Sequence, residues 1–254
     1  MMTTHRVLGA MMALMIAAST NAHSPPSPRA AVTIVLVHGA LIDGSSWRGV
    51  YDVLTRDGYR VSIVQQPLTG LDDDVAATRR VLDQQDSPVI LVGHSYGGSI
   101  ITVAGSDPKV KALVYVAALQ PDVGETSGEV APPMKPASND LKPTKDGFVF
   151  LDSAKFAADF GADLPKAKAE FMARSQMPVS GAAFNTKLTT AAWHDKPSYA
   201  IIATQDRALN PETARWMAKR AGSKVTEVQA SHAVYISHPR AVARVIETAA
   251  RAVE

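Results

Sequence analysis

The sequence predicts an α/β fold: a doubly wound, mostly parallel six-stranded sheet with a helical insertion. Apolar runs of strand length recur along the chain, and helical segments separate them. Runs such as 34–37 and 90–92 are apolar at every position, which indicates strands buried on both faces of a parallel sheet. The β–α alternation then favours helices on both sides of that sheet.

Six segments are expected to form the strands of the sheet, and three other segments are expected to form helices. The strands are expected at 31–37, 60–65, 88–93, 111–117, 198–204 and 224–229. Leu71, Val75, Thr78 and Leu82 recur at helical spacing. Segments 211–221 and 239–253 each open with proline at a plausible first helical position.

The stretch from about 121 to 197 interrupts this alternation. It contains a proline-rich loop at 131–136, a short apolar segment at 148–151 and helical pieces at 154–160 and 166–174. No buried strand is expected in it. An insertion between two core strands is a usual location for a lid, and its Phe and Met side chains are candidates to line an apolar pocket.

The first 22 residues have the features of a secretory signal peptide. Arg6 precedes an apolar stretch at 7–18, and Thr20-Asn21-Ala22 offers a small-x-small cleavage site. A retained membrane anchor is the alternative. A proline-rich linker at 23–30 then leads into one domain at 31–254. We expect an exported protein, periplasmic or secreted, with no stable membrane insertion after cleavage.

Composition excludes several classes of partner and site. The formal net charge is only +2, and no block of basic residues is present, so nucleic-acid binding is not expected. The chain has no cysteine, which rules out disulfides and thiolate metal ligands.

Residues 93–97 read Gly-His-Ser-Tyr-Gly and follow an apolar run directly. This order is typical of a nucleophile elbow, in which flanking glycines allow a sharp strand-to-helix turn that exposes the serine. Ser95 is therefore the predicted nucleophile.

A serine nucleophile needs a base and a group that orients the base. Asp206 and His232 each follow an expected strand, and catalytic groups of open α/β sheets gather at the strands' carboxyl ends. The order serine, acid, histidine also fits. Asp122 is the alternative acid and His238 the alternative base; we expect His94, inside the elbow, to be structural.

Two backbone N–H groups should stabilise the oxyanion. One is expected from Tyr96, directly after the nucleophile, and the other from Ala40, in the loop after the first strand. His38 is expected to shape that loop through hydrogen bonds.

These segments resemble the α/β-hydrolase superfamily, and within it the branch of salicylate-type methylesterases, hydroxynitrile lyases and small bacterial esterases. The matching pieces are Val-Leu-Val-His-Gly-Ala at 35–40, Ser-Trp at 46–47, Gly-His-Ser-Tyr-Gly-Gly at 93–98, Ala-Thr-Gln-Asp-Arg at 203–207, Arg-Trp-Met at 215–217 and the segment 232–239. The resemblance implies the Ser95, Asp206, His232 triad, oxyanion donors at Ala40 and Tyr96, a lid-covered pocket, and no metal or cofactor.

We therefore expect a serine esterase acting on a small, moderately hydrophobic ester or lactone. A hydroxynitrile lyase is disfavoured, because relatives of that type carry a lysine just after the histidine, where this chain has Ala233. Two competing interpretations are a cofactor-free perhydrolase and a ligand receptor built on a hydrolase fold.

Overall fold

The computed structural model describes residues 32–130, 138 and 140–253. The predicted signal peptide at 1–22, the linker at 23–30 and the proline-rich loop at 131–136 lie outside the described residues. Within these ranges, no helix has the length and apolar character that crossing a membrane requires.

The main sheet has six strands, all paired in parallel. They are β1 (Thr33–Val37), β2 (Arg60–Val64), β3 (Val89–His94), β4 (Val110–Val116), β8 (Ser198–Ala203) and β9 (Lys224–Val228). Their order across the sheet is β2-β1-β3-β4-β8-β9. This confirms the predicted fold class.

Position in the sheet explains the composition of each strand. The continuously apolar β1 and β3 are buried at every position and lie in the interior of the sheet. The edge strands β2 and β9 alternate apolar and polar residues and are largely exposed or half-buried. A strand buried on both faces needs apolar residues throughout, whereas an edge strand does not.

Helices of the body cover the sheet. They are α1 (Arg48–Arg56), α2 (Leu71–Asp83), α3 (Gly97–Ala104), α7 (Pro211–Arg220), α8 (Val234–Ser237) and α9 (Pro239–Arg251). Helix α1 packs against α9, and α2 packs against α3. The predictions at 211–221 and 239–253 agree with α7 and α9. In α7 the Asn210 side chain accepts the N–H of Glu212, and Pro211 occupies the first turn, as the sequence predicts.

The insertion lies between β4 and β8. Its helices α4 (Phe156–Asp159) and α5 (Lys166–Arg174) agree with the predicted positions, and a third helix, α6 (Gly181–Asn185), was not predicted. It also contains a small antiparallel sheet of β5 (Leu141–Pro143), β6 (Phe148–Leu151) and β7 (Val179–Ser180). The sequence does not predict this sheet. Its strands have only two to four residues, and β7 comes from a distant part of the insertion, so no local periodicity marks it.

Candidate active site

Ser95 occupies a strained turn between β3 and α3, with a positive φ of 52°. Such a conformation in a non-glycine residue costs free energy and is typical of functional sites. Close packing holds the turn. A Cβ added at Gly93 would lie 2.5 Å from the Gly97 carbonyl oxygen, and one at Gly97 would lie 2.6 Å from the His38 carbonyl oxygen. The glycines around Ser95 are thus required by space.

The predicted acid and base are in contact. His232 Nδ1 lies 2.6 Å from Asp206 Oδ2, and both side chains are buried. The other carboxylate oxygen of Asp206 accepts the N–H groups of Ala208 and Leu209, each at 2.8 Å. The backbone therefore orients the carboxylate toward the imidazole. Because the carboxylate accepts, Nδ1 carries the proton and Nε2 is the nitrogen that can act as a base.

The elbow lies directly against the loop that carries His232. The Nε2 of His94 donates to the His232 carbonyl oxygen over 3.0 Å, and the two rings are 4.7 Å apart at their centroids. Among the described residues, no hydrogen bond joins Ser95 to His232. The structure thus pairs Asp206 with His232 and sets the elbow beside them, with the serine hydroxyl not bonded to the base.

The alternative residues have different partners. The carboxylate of Asp122 accepts from His194 Nε2 over 2.8 Å, in an exposed pair at the start of the insertion. His238 is exposed and contacts Ser237 and Asp163. His94 is fully buried, and burial together with the neighbouring His232 holds its pKa well below the usual value. The neutral His94 ring has the structural position that the sequence predicts.

The loop after β1 lies close to the nucleophile. A Cβ placed on Gly39 would come 2.8 Å from the Ser95 Cβ, so the loop that continues to Ala40 passes directly beside the serine. Within the described part of the chain, neither the Ala40 N–H nor the Tyr96 N–H donates a hydrogen bond. Both donors are therefore available to an oxyanion; their role stays a prediction.

His38 shapes this loop as a neutral ring. Burial lowers its pKa to about 4. The Gln66 N–H donates to His38 Nε2 over 3.2 Å, so Nδ1 carries the proton and donates to the Gly39 carbonyl oxygen over 2.8 Å. Gln66 Nε2 also donates to the His38 carbonyl. These bonds hold the turn that presents Ala40.

Sequence reasoning missed a buried carboxyl beneath the elbow. Asp74 accepts the hydroxyl of Tyr96 over 2.9 Å and the N–H of Leu68 over 2.8 Å. Burial raises its pKa to about 6. Helical spacing in the sequence could have indicated this burial, because Asp74 lies three residues after Leu71 and four before Thr78, on the apolar face of α2.

A cavity of about 240 Å³ opens beside the oxyanion loop, where α5 of the insertion faces the body. Leu41 and Ile42 come from that loop, Phe171 and Met172 from α5, and Ile236 from the short helix α8 after His232. The charged side chains on its wall are Asp43, Arg48 and Lys168. No cluster of three or more His, Asp or Glu side chains suited to a metal ion occurs within the described ranges.

Comparison with known proteins decides the family. Residues 34–245 match the alpha/beta hydrolase family. The chain belongs to that family. A pyrethroid hydrolase from Sphingobium wenxiniae is 29% identical over 245 residues, covering 84% of this chain and 85% of the relative. The solved structure of a pyrethroid hydrolase, PytH, superposes with a TM-score of 0.75 at 25% identity, covering 88% of this chain and 100% of that chain.

The predicted branch is confirmed as well. An alpha-hydroxynitrile lyase from Arabidopsis thaliana is 24% identical over 243 residues, covering 81% of this chain and 92% of the lyase. Methylesterase 8 from the same plant is 29% identical over 103 residues, covering 35% of this chain and 38% of the methylesterase. Together with the pyrethroid hydrolase, the methylesterase confirms the predicted enzyme class, a carboxylic ester hydrolase.

Proposed function

We propose that this alpha/beta hydrolase cleaves carboxylic esters through an acyl-enzyme formed on Ser95, with His232 as the base and Asp206 as the group that orients it. One observation carries the proposal. A buried carboxylate–imidazole pair, 2.6 Å between Asp206 Oδ2 and His232 Nδ1, lies beside a serine held at positive φ. This is the combination that activates a hydroxyl as a nucleophile.

The proposed reaction has two halves. His232 Nε2 accepts the Ser95 proton while Oγ attacks the ester carbonyl, and the N–H groups of Ala40 and Tyr96 stabilise the oxyanion. Collapse of the tetrahedral intermediate breaks the bond to the alcohol, which His232 protonates. Water, deprotonated by the same imidazole, then releases the acid. Because no hydrogen bond joins Ser95 to His232 here, the productive state requires the hydroxyl and Nε2 to come within hydrogen-bond distance.

The cavity beside the oxyanion loop supports a small, moderately hydrophobic ester. Leu41, Ile42 and Met172 form an apolar part of its wall that fits an uncharged group, apart from the charged side chains named above. Its volume of about 240 Å³ is smaller than that of most drug-binding pockets. The relatives of this chain include a pyrethroid hydrolase and a methylesterase, which also favours an ester. The position after His232 is the buried Ala233, so the lysine that a hydroxynitrile lyase uses is missing and hydrolysis is favoured.

A covalent probe tests the proposal. A fluorophosphonate should label the wild-type protein and fail to label Ser95→Ala, and the same substitution should abolish turnover of p-nitrophenyl acetate. Ser106→Ala, an exposed serine two residues after the end of α3, is the matched control and should behave as wild type. Full labelling of Ser95→Ala would contradict the proposal, and labelling of wild type without turnover of any short ester would favour a receptor.

We also propose that the protein is exported and cleaved after Ala22, on the strength of the leader's apolar stretch and small-x-small motif. N-terminal sequencing of the protein recovered from a periplasmic extract should begin at His23. Recovery only in the cytoplasm with an intact leader would refute export.

A further inference from the structure

The last part of α4 and the turn that follows it lie against the loop that carries His232. The carbonyl oxygen of Phe160 accepts the N–H of Ala233 over 3.0 Å and the hydroxyl of Ser231 over 3.1 Å. The Phe160 ring meets the His232 imidazole edge-on, with 5.1 Å between centroids. The insertion therefore contacts the predicted base and both residues beside it.

Asp163, three residues further on, holds the same loop. Its carboxylate accepts the N–H of Ser231 over 3.2 Å and the hydroxyl of Ser231. It also accepts the hydroxyl of Ser237 over 2.7 Å and lies 3.7 Å from His238 Nδ1. Burial alone raises the pKa of Asp163, but the hydrogen bonds from Ser231 and Ser237 outweigh it and keep that pKa below its usual value. The acceptor is thus an ionised carboxylate, which forms stronger hydrogen bonds than a neutral group.

This arrangement determines where the imidazole can lie. Asp206 fixes the direction of the His232 ring through Nδ1, and His94 Nε2 holds the His232 carbonyl oxygen, but neither contact reaches the N–H groups of the two neighbouring residues. Bonds to the backbone on both sides of His232 come from the insertion, through Phe160 and Asp163. A general base must come within hydrogen-bond distance of the proton it takes, and a misplacement of about 1 Å can cost about a hundredfold in rate.

We propose that Asp163 is a positioning residue for His232: by holding Ser231, it sets the distance between the imidazole and Ser95 and makes the insertion part of the catalytic apparatus. The inference rests on the proposed function. It assigns Asp163 an effect on turnover that a residue serving only to anchor α8 would lack.

The test compares kcat and KM for p-nitrophenyl acetate in Asp163→Asn and wild type. The amide presents a donor where the carboxylate accepts, so we expect kcat to fall about 10- to 100-fold, with KM within about twofold because the cavity wall is untouched. Asp152→Asn is the matched control. Asp152 is also on the insertion, where it accepts the N–H of Ala154 and pairs with Lys142, away from His232. It should leave kcat unchanged.

Three variants on the opposite side of the contact separate positioning from simple anchoring. Ser231→Ala should lower kcat like Asp163→Asn, and Ser231→Thr, which keeps the hydroxyl, should restore it. Ser237→Ala removes another bond to Asp163 but none to Ser231, and it should leave kcat near wild type. If Asp163→Asn fails to fold, the Ser231 pair carries the test alone.

Because Ser231 transmits the effect, the double variant Asp163→Asn with Ser231→Ala should lose no more turnover than the stronger single variant. Wild-type kcat in both single variants, or equal losses in Ser237→Ala and Ser231→Ala, would overturn the inference. Failure of the proposed function is distinguishable, since Ser95→Ala would then still hydrolyse ester.

Discussion

The six-stranded body and the insertion between β4 and β8 are built on different principles. In the body, strands such as β1 and β3 are buried throughout, and the predicted catalytic residues follow directly from strand ends. In the insertion, strands have two to four residues and much of the surface is exposed, with Phe171 71% accessible. The body positions the predicted catalytic residues through backbone geometry, whereas the insertion contacts the body through individual hydrogen bonds, such as those of Phe160 and Asp163.

Substitutions in the body and in the insertion should therefore have different effects. A change in the body near the elbow disturbs close-packed backbone, so it should cost folding free energy and activity together. A change in the insertion removes one hydrogen bond or one apolar contact, so its effect should be confined to that contact. Four sets of substitutions test the two regions, from the largest expected effect to the smallest: two compare the body with the insertion, and two probe one region each.

The two candidate acids lie on either side of this division. Asp206→Asn, in the body, leaves the shape of the pair with His232 but favours the wrong imidazole tautomer, and we expect kcat to fall about 10⁴-fold. Asp122→Asn, at the start of the insertion, alters only the exposed pair with His194 and should change kcat less than about twofold. Steady-state kinetics on a short ester measures both. A larger loss in the Asp122 variant would make Asp122 the catalytic acid.

Two glycines give the matching contrast in stability. A Cβ on Gly98, just after the elbow, would overlap the Leu119 carbonyl oxygen, so Gly98→Ala should cost about 3 kcal/mol or more. Gly147, in the insertion, has a φ of 86° with nothing within 4 Å of an added Cβ. Gly147→Ala should cost about 1 kcal/mol, from backbone strain alone. Urea unfolding measures both values, and equal losses would contradict the steric account.

The same division separates what the sequence predicted from what it missed. Ser95, Asp206 and His232 were predicted as the catalytic residues because each follows a strand whose apolar run is visible locally. The contact between Asp163 and Ser231 joins residues 68 apart, and no periodicity links them. The small sheet of β5, β6 and β7 was missed for the same reason. Asp74 is the exception: it is a residue of the body that was missed, although its helical spacing from Leu71 and Thr78 places it on the buried face of α2.

Asp74 is a body residue whose charge should make stability depend on pH. Its pKa is raised to about 6 by burial, from the usual aspartate value of 3.8. Between these two values the folded protein binds more protons than the unfolded chain, so the stabilising contribution is complete below about pH 3.8 and is lost as pH rises through about 6. The ionised form costs about 2 to 3 kcal/mol at neutral pH.

Asp74→Asn removes this dependence, because its amide oxygen still accepts the Leu68 N–H and its amide nitrogen donates to the Tyr96 oxygen. Relative to wild type, the variant should therefore gain about 2 to 3 kcal/mol between pH 4 and pH 7. Urea unfolding at both pH values gives the difference. Asp83→Asn, an exposed aspartate at the other end of α2, is the control, and a parallel pH dependence in both variants would rule out Asp74 as its source.

The smallest effect is expected at Phe171, on the solvent side of the insertion. Its ring is 71% exposed but lines the cavity with Met172 and Leu41. Phe171→Ser should change the free energy of unfolding by less than about 0.5 kcal/mol, as exposed sites usually do. Loss of one partly buried apolar contact should raise KM for a p-nitrophenyl octanoate ester about two- to fivefold, and leave KM for the acetate unchanged.

Val123→Ser is the matched control, since Val123 is 56% exposed at the start of the insertion and lies outside that cavity. It should change neither KM. If Phe171→Ser raised KM equally for the acetate and the octanoate, the ring would not contact the ester's chain, and the cavity beside the oxyanion loop would not be where the longer chain binds. A selective effect on the octanoate would show instead that the insertion contributes apolar surface to the substrate through one exposed side chain, at almost no cost to the fold.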